Sequence, residues 1–211
     1  MWIGTKIIAR GFQPFTQLVL LIAAQHYLEN AQHIPTALLH KAQMGDTSAM
    51  QLLYQQYSKA MFNICIRMTG NHADAEDVLQ EAFVQAFTNL RQLNNVQAFG
   101  GWLKRIVVNA CIKHSKKNVY WQEWEDETHE MLLANEEEAW WLQIDMALVH
   151  QQIKALPNGC RQVFNLFVLE NYSHKDIAGL LGISEGTSKS QYHRAKQLLK
   201  QNIMQQLQHH G

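Results

Sequence analysis

Apolar side chains recur at helical spacing through three stretches between residues 36 and 118. The stripes cover Met50–Met68, Ala75–Leu90 and Phe99–Cys111, with apolar residues three or four positions apart. Such spacing is typical of helices with one apolar face, and Gly70 with Asn71 separates the first two. Because no stretch after residue 34 alternates as a strand does, the pattern predicts an all-α chain whose first three long helices pack into one domain.

The segment from Ser173 to Lys200 predicts a helix-turn-helix. Ser173 and Asp176 have the spacing of a capping box, Gly182 suits the positive φ at a helix end, and Ser184 can cap a second helix. The inner face of that helix is formed by Ser188, Tyr192, Ala195 and Leu199. The outward face carries Lys189, Ser190, His193, Arg194 and Lys196. Two short helices of this kind suit a DNA major groove, and an ordinary helical hairpin is the alternative.

Charge divides the chain into modules although the net charge is zero. Residues 34–118 carry nine Lys or Arg and five Asp or Glu. Residues 119–148 carry no Lys or Arg and nine Asp or Glu, and residues 149–211 carry seven Lys or Arg and three Asp or Glu. Two basic modules therefore flank an acidic connector, which points to polyanion contacts by the modules. We expect four segments: an N-terminal extension (1–34), a helical domain (35–118), an acidic Trp-rich linker (119–142) and a small helix-turn-helix domain (143–207).

Motifs for catalysis and for cofactors are absent from the sequence. It contains no GxGxxG, GxxxxGK[ST], HExxH or GxSxG pattern, so we expect no reaction of its own, no cofactor and no small-molecule substrate. Cys65, Cys111 and Cys160 form no CxxC pair, and we expect buried thiols in a reducing cytosol. The histidines do not cluster with cysteines or carboxylates at a metal spacing, so no metal site is expected.

The first 34 residues contain one short apolar run. Leu18–Ala24 follows Lys6 and Arg10, but a spanning helix needs about 20 apolar residues. A cleaved signal, a peripheral anchor and sequence upstream of the functional start are the three alternatives. We favour a non-essential extension of a cytoplasmic protein.

The helix of the second stripe has an acidic and amide outer face. Its members, at helical spacing, are Asp74, Asp77, Gln80, Glu81 and Gln85. Such a face is either simply solvated or docks a partner that carries basic side chains.

The helix of the third stripe has a basic outer face. Its aligned members are Arg105, Asn109, Lys113 and Lys116, flanked by Lys104 and Lys117. Cations reach phosphates, whereas an Asn side chain can read a base edge. The loop Leu93–Gln97 precedes this helix, and its Asn94 and Asn95 are suited to hold bases of single-stranded DNA. The alternative is a solvated charged helix.

With these features together, the chain resembles a bacterial RNA polymerase sigma factor of the extracytoplasmic-function (ECF) type. Three motifs carry the resemblance: DAEDVLQEAFVQAF at Asp74–Phe87, FGGWLKRIVVN at Phe99–Asn109, and Ala155–Leu199 with its Leu-Pro opening and SEGTSKSQYHRAK. Their order and spacing resemble sigma region two, a linker and sigma region four, over about residues 36–203. Any one of these motifs is modest support, and the three in order are strong support.

The resemblance implies a role for each polar face. Asp74, Asp77, Gln80 and Glu81 would bind the clamp helices of the largest polymerase subunit. The −10 promoter element would be held by Leu93, Asn94, Asn95, Arg105, Asn109, Lys113 and Lys116. The −35 element would be read by Ser184, Thr187, Lys189, Ser190, His193 and Arg194. Trp102 matches a tryptophan of the promoter-melting region, but its place in the apolar stripe favours a core role.

Several positions depart from the family pattern. Lysines follow Asn109 where many members carry an acidic residue and arginines, and lysine lacks the bidentate fork of arginine. Ser188 stands where a branched apolar residue is common. No helical domain separates the two regions, and only the acidic connector occupies that space.

We therefore expect a two-domain sigma factor that binds core polymerase, reads −35 DNA and melts the −10 element. Its partners would be the clamp helices and flap region of core RNA polymerase, promoter DNA and an anti-sigma factor, and the linker would mimic nucleic acid in the RNA path. The first alternative is a one-component, LuxR-like helix-turn-helix regulator, which would bind duplex DNA without polymerase. A polymerase adaptor or anti-sigma protein is a second, against which the basic faces argue.

Overall fold

The structure is a computed structural model that describes residues 35–116 and 146–209. These residues form two compact units. Within the described ranges every regular element is helical and no strand occurs, which confirms the all-α, two-domain prediction. The interpretations of residues 1–34 as an extension and of residues 119–142 as a linker concern segments outside the description, and the four segment boundaries stay predictions.

Within residues 35–116 the first unit has four α-helices, one more than the three apolar stripes predict. They are α1 (Thr36–Gln43), α2 (Thr47–Thr69), α3 (His72–Asn89) and α4 (Phe99–Lys116). The additional helix, α1, buries Leu39 and Ala42. It is short and follows a proline, Pro35, which is why its apolar pattern is too brief to stand out in the sequence.

Local signals in the sequence place the ends of the helices. The Asp46 carboxylate accepts a hydrogen bond from the Ala49 amide at 3.1 Å and so caps α2. Gly70 ends α2 at φ 77°, a conformation that glycine adopts without strain. Asn71 then caps α3 through its side-chain oxygen, which accepts from the Ala73 amide at 2.8 Å. The turn between α2 and α3 is therefore defined by residues 69–71.

The core of the first unit lies where α2, α3 and α4 pack together. Its fully buried side chains include Leu53, Ile64, Met68, Phe99 and Leu103. Fully burying such a side chain is worth about 1.5–3 kcal/mol, so the three stripes supply the apolar burial that stabilises this unit. Not every stripe member is fully buried: Tyr54 is 38% exposed with its ring 4.7 Å from Phe83, and Trp102 is half-buried.

Within residues 146–209 the second unit has four α-helices and one π-helical turn. They are α5 (Met146–Ala155), α6 (Asn158–Phe164), the π-helical turn (Asn165–Leu169), α7 (His174–Leu181) and α8 (Glu185–His209). Pro157 begins α6, and Arg161 donates to the carbonyls of Lys154 and Leu156 at 2.9 and 3.1 Å. Because these carbonyls end α5, the guanidinium closes the corner between α5 and α6. In the described residues no helix has the length and apolar character needed to cross a membrane.

Candidate functional site

The predicted docking surface is the outer face of α3, formed by Asp74, Asp77, Gln80 and Glu81. Asp77, Gln80 and Glu81 are exposed, and Asp74 is half-buried. Asp77, Gln80 and Glu81 point away from the buried positions of the same helix, such as Ala82, and Asp74 lies at the edge of the buried face. The four residues therefore lie on neighbouring turns of one side of α3, as their spacing predicts.

Two contacts join this docking surface to the basic helix α4. The Lys113 ammonium donates to the Glu81 carboxylate at 2.8 Å, and the His114 ring lies 3.6 Å from the Asp74 carboxylate. The sequence interpretation assigned Glu81 to polymerase and Lys113 to DNA and did not foresee that they pair. The two residues are 32 positions apart, and helical spacing relates only neighbours three or four positions apart.

The outer face of α4 is exposed along its whole length. Arg105, Asn109, Lys113 and Lys116 are all exposed, in agreement with their predicted alignment. Lys104 is half-buried, and Lys117 lies outside the described residues. An array of cations with one amide is the side-chain chemistry that contacts phosphates and base edges.

The loop before α4 is held rigidly by a side chain from α1. Gln43 donates to the carbonyls of Leu90 and Leu93 at 3.1 and 2.9 Å. The Leu93 side chain is buried, so its predicted contact with DNA would have to be made by its backbone, and that contact stays a prediction. Asn94 and Asn95 are exposed, and the Asn95 side-chain oxygen accepts from the Gln97 amide at 3.0 Å.

The helix-turn-helix of the second unit forms as its motifs predict. Ser173 and Asp176 make the reciprocal capping box, with 3.1 Å from the Asp176 amide to Ser173 Oγ. Hydrogen bonds from Ser173 hold the pKa of the Asp176 carboxyl below its ordinary value. Gly182 ends α7 at φ 73°. Ser184 caps α8 by accepting from the Thr187 amide at 2.9 Å.

The outward face of α8 is less exposed than predicted at three positions. Lys189 and His193 are exposed, whereas Ser190, Arg194 and Lys196 are half-buried. Lys196 lies 5.0 Å from the centre of the Tyr192 ring, and burial lowers its pKa. Both long side chains therefore lie partly against the fold, because their aliphatic stems cover apolar surface.

One exposed cation on α8 is paired within its own helix. Lys189 donates to Glu185 at 2.8 Å, one turn earlier. The hydrogen bond and charge of Lys189 lower the pKa of the Glu185 carboxyl. The sequence contained this signal, since Glu185 precedes Lys189 at the favourable four-residue spacing.

A polar contact at the junction of α7 and α8 was not predicted. His174 Nδ1 lies 2.9 Å from Ser188 Oγ, and Ser188 is fully buried. Burial is the main cause that lowers the pKa of His174. The contact joins residues 14 positions apart, and neither residue belongs to a recognised binding motif.

The remaining candidates for chemistry are the cysteine thiols and the side chains that could ligate a metal. Cys65, Cys111 and Cys160 are all buried, as predicted. Burial is the main cause that raises the Cys160 pKa, and its thiol donates to Gln191 at 3.0 Å. Within the two described ranges, no group of three His, Cys, Asp or Glu is arranged to hold a metal ion.

Comparisons with known proteins place both units in one family. The Sigma-70 region 2 profile matches residues 53–119, and the Sigma-70, region 4 profile matches residues 146–199. The chain is 29% identical over 173 residues to the RNA polymerase sigma-H factor of Pseudomonas aeruginosa, covering 77% of this chain and 90% of that protein. It is 28% identical over 177 residues to the ECF RNA polymerase sigma factor SigW of Bacillus subtilis, covering 78% and 94%.

Solved structures with a similar chain include two complexes. One is the sigma factor RpoE with the anti-sigma factor NepR from Bartonella quintana, at a TM-score of 0.45, 19% identity and coverage of 74% of this chain and 96% of that chain. The other is CnrH with the cytosolic domain of CnrY, at a TM-score of 0.44, 23% identity and coverage of 80% and 96%.

Proposed function

This chain belongs to the ECF sigma factors of RNA polymerase, which direct promoter-specific transcription, and from that membership we propose how its surfaces divide the work. The first unit would bind core polymerase through α3 and hold the −10 element with α4 and its preceding loop. The second unit would read the −35 element with α8. The observation that carries the proposal is the exposure of an acidic face and two separate basic faces on these helices.

Polymerase docking is proposed for Asp74, Asp77, Gln80 and Glu81. Three of them are exposed on adjacent turns of a helix whose other face is fully buried. A surface on so fixed a helix loses little backbone freedom on binding. Its carboxylates suit a basic partner such as the clamp helices of the largest subunit, and the flap region would contact the second unit.

Capture of the −10 element is proposed for the first unit. Asn109 lies between Arg105 and Lys113 on α4, so cations would hold the backbone on both sides of a base that Asn109 reads. Asn94 would contact a base or sugar from the loop, and the rigid hold of Gln43 keeps that loop in place. Asn95 would donate from its side-chain NH₂ group, because its side-chain oxygen already accepts from the Gln97 amide. Stacked and bonded bases offset the few kcal/mol needed to unstack each step.

Recognition of the −35 element is proposed for Ser184, Thr187, Lys189, Ser190, His193 and Arg194. These residues lie over the first turns of α8, the part of a recognition helix that enters the major groove. Lys189 and His193 are the exposed pair on adjacent turns. We propose no reaction for the protein itself, action in the cytoplasm where polymerase works, and an anti-sigma partner that covers these surfaces.

Run-off transcription tests the proposal as a whole. Purified core polymerase is given a genomic fragment library with and without this protein, and new transcripts from defined start sites are expected only with it. The free protein should bind duplex DNA weakly. Tight, sequence-specific binding by the free protein, without association with core polymerase, would instead identify a one-component regulator.

A charge-reversal experiment tests the docking surface. Asp77→Lys with Gln80→Lys should weaken polymerase binding by several kcal/mol, because like charges then face each other. Gln55→Lys, on an exposed position of α2, is the matched control for an added lysine. Thermal unfolding monitors whether the domain stays folded. Unchanged competition with another sigma factor for core polymerase would contradict the docking role.

Two alanine variants distinguish the proposed −35 contact on α8 from the proposed −10 contact on α4. Lys189→Ala should reduce the dependence on the −35 element by about 1–3 kcal/mol if the side chain contacts a base edge. Lys200→Ala, exposed further along α8, is its control. Asn109→Ala should spare the closed complex and impair melting, which permanganate reactivity of −10 thymines measures. Equal loss of both steps in the Lys189 and Asn109 variants would contradict the division.

A further inference from the structure

His174, the first residue of α7, lies among aromatic side chains. Its ring is stacked on Phe167 of the π-helical turn, with 4.2 Å between ring centres and 12° between ring planes. The Tyr192 ring of α8 lies 5.8 Å away. Aromatic neighbours on two elements therefore fix the plane of the imidazole, and the ring has little freedom to move away from α8.

The fixed imidazole ring of His174 makes a polar contact with α8. Nδ1 of His174 lies 2.9 Å from Oγ of Ser188, and Ser188 is completely buried on the inner side of α8. A buried hydroxyl needs a hydrogen-bond partner, and losing it costs more than the bond itself contributes. Hydrogen bonds are directional, unlike apolar packing, so this contact defines how α8 is rotated about its axis.

From this geometry we infer that His174 is a positioning residue for DNA recognition, which orients α8 through Ser188 and does so as a neutral imidazole. Lys189 and Ser190 directly follow Ser188, so a rotation of α8 at this point changes where both side chains point. The inference rests on the proposed function of α8 and adds a residue that does not itself touch DNA.

Electrostatics around the ring favour its neutral form. Burial comes first among the causes that lower the His174 pKa, and the charges of Lys189 and His193 on α8 act in the same direction. Glu185, also on α8, acts in the opposite direction. On its own helix His174 is followed by Lys175 and Asp176. Protonation would therefore add a cation beside Lys189 and make Nδ1 an obligatory donor.

The sign of the pH effect follows from this lowered pKa. The unfolded chain binds the proton at about the ordinary histidine value of 6.5, whereas the folded unit resists it. The stabilisation is therefore complete above 6.5 and is lost as the pH falls through 6.5 towards the lower folded value. Recognition of the −35 element is a property of the folded unit, so we expect it to weaken only as the pH falls through the lower, folded value of the His174 pKa.

The test uses the full chain with core polymerase on a promoter recovered from the fragment library. The measured quantity is the ratio of transcripts from the intact promoter to those from the same promoter with a scrambled −35 element, between about pH 8 and about pH 5.5. This ratio cancels the pH dependence of the polymerase itself. The variants are His174→Asn, whose amide can reach the position of Nδ1 without titrating, and His174→Ala, which removes the contact.

Wild type should show a ratio that falls as the pH is lowered. His174→Ala should lose about fivefold or more of the ratio at pH about 8, the change expected when a buried hydroxyl loses its partner. His174→Asn should keep the ratio within about twofold and show no fall with pH, because the replacement amide does not titrate. His150→Asn, at an exposed histidine of α5, should behave as wild type.

The possible failures are distinguishable. A wild-type ratio of about one at every pH would refute −35 recognition by α8 and thus the proposed function. A wild-type ratio that exceeds one but is unchanged in His174→Ala would refute the positioning role alone. If His174→Ala does not fold, as judged by circular dichroism, His174→Asn decides: a fall with pH parallel to that of wild type overturns the inference.

Discussion

The contact between Lys113 and Glu81 links the two proposed surfaces of the first unit, and its removal should affect them in opposite ways. Lys113 lies on α4, the helix proposed to face DNA, and its partner carboxylate lies 2.8 Å away on α3, the proposed docking helix. A polymerase that docks there would compete with Lys113 for this carboxylate. Lys113→Gln should therefore strengthen binding to core polymerase while it weakens promoter opening, because the −10 DNA loses a cation.

The exposure of both side chains sets the size of this effect. Lys113 is 71% and Glu81 is 56% exposed, and pairs of this kind contribute about 0.2–1 kcal/mol after solvent screening. Such an energy corresponds to a change of about 1.4- to 5-fold in the dissociation constant. The gain should shrink as salt is raised, because ions screen an exposed pair.

The assay is the equilibrium affinity of labelled protein for core polymerase at low salt. Lys116→Gln removes the same charge from the next turn of α4 and should leave the affinity nearer to wild type. In a Glu81→Gln background, Lys113→Gln should give no gain, because the carboxylate it competes for is gone. The competition argument is refuted if Lys113→Gln binds no better than Lys116→Gln, or if its gain persists without the Glu81 carboxylate.

Three further predictions address stability and the N-terminal segment. Ser173→Ala removes the cap of α7 and should lower the free energy of unfolding by about 0.5–2 kcal/mol in thermal or urea unfolding. Gly182→Ala places a side chain at φ 73° and should cost about 1–2 kcal/mol, whereas the control Gly179→Ala, inside α7 with no atom within 4 Å of the added carbon, should stabilise by up to about 1 kcal/mol. Deletion of residues 1–33 should leave polymerase binding and promoter opening intact, and a membrane-bound full-length protein with a soluble, constitutively active truncation would contradict this.

The helices and their buried faces could be predicted because both depend on residues close in sequence. Spacing of three and four identified the buried sides of α2, α3 and α4, and the short polar motifs at Ser173 and Gly182 placed the ends of α7. The same periodicity identified which polar residues point outward, such as Asp77 and Asn109. Long-range contacts escaped prediction, among them His174 with Ser188 and Lys113 with Glu81, because their partners are not related by a helical repeat.

Several side chains are more buried than the sequence pattern predicted, and their burial has a different cause. Leu93 belongs to a loop whose polarity suggested exposure, but its side chain is buried and its carbonyl accepts from Gln43. Arg194 and Lys196 were predicted on the outside of α8 and lie partly against the fold. Side chains with long aliphatic stems, and apolar residues in loops, are buried according to their tertiary neighbours, about which periodicity contains no information.

A lysine–glutamate ion pair occurs in both units and affects how strongly the free protein binds DNA. Lys113 in the first unit and Lys189 in the second are both proposed DNA contacts, and each donates to a glutamate at 2.8 Å. A phosphate must displace that carboxylate, so each contact gains less than a lysine without a nearby anion would provide. Each pair is weak alone, but together they lower the affinity of free protein for DNA of any sequence. If polymerase contacts Glu81 it removes one of these competitors, so docking and DNA binding in the first unit should reinforce each other.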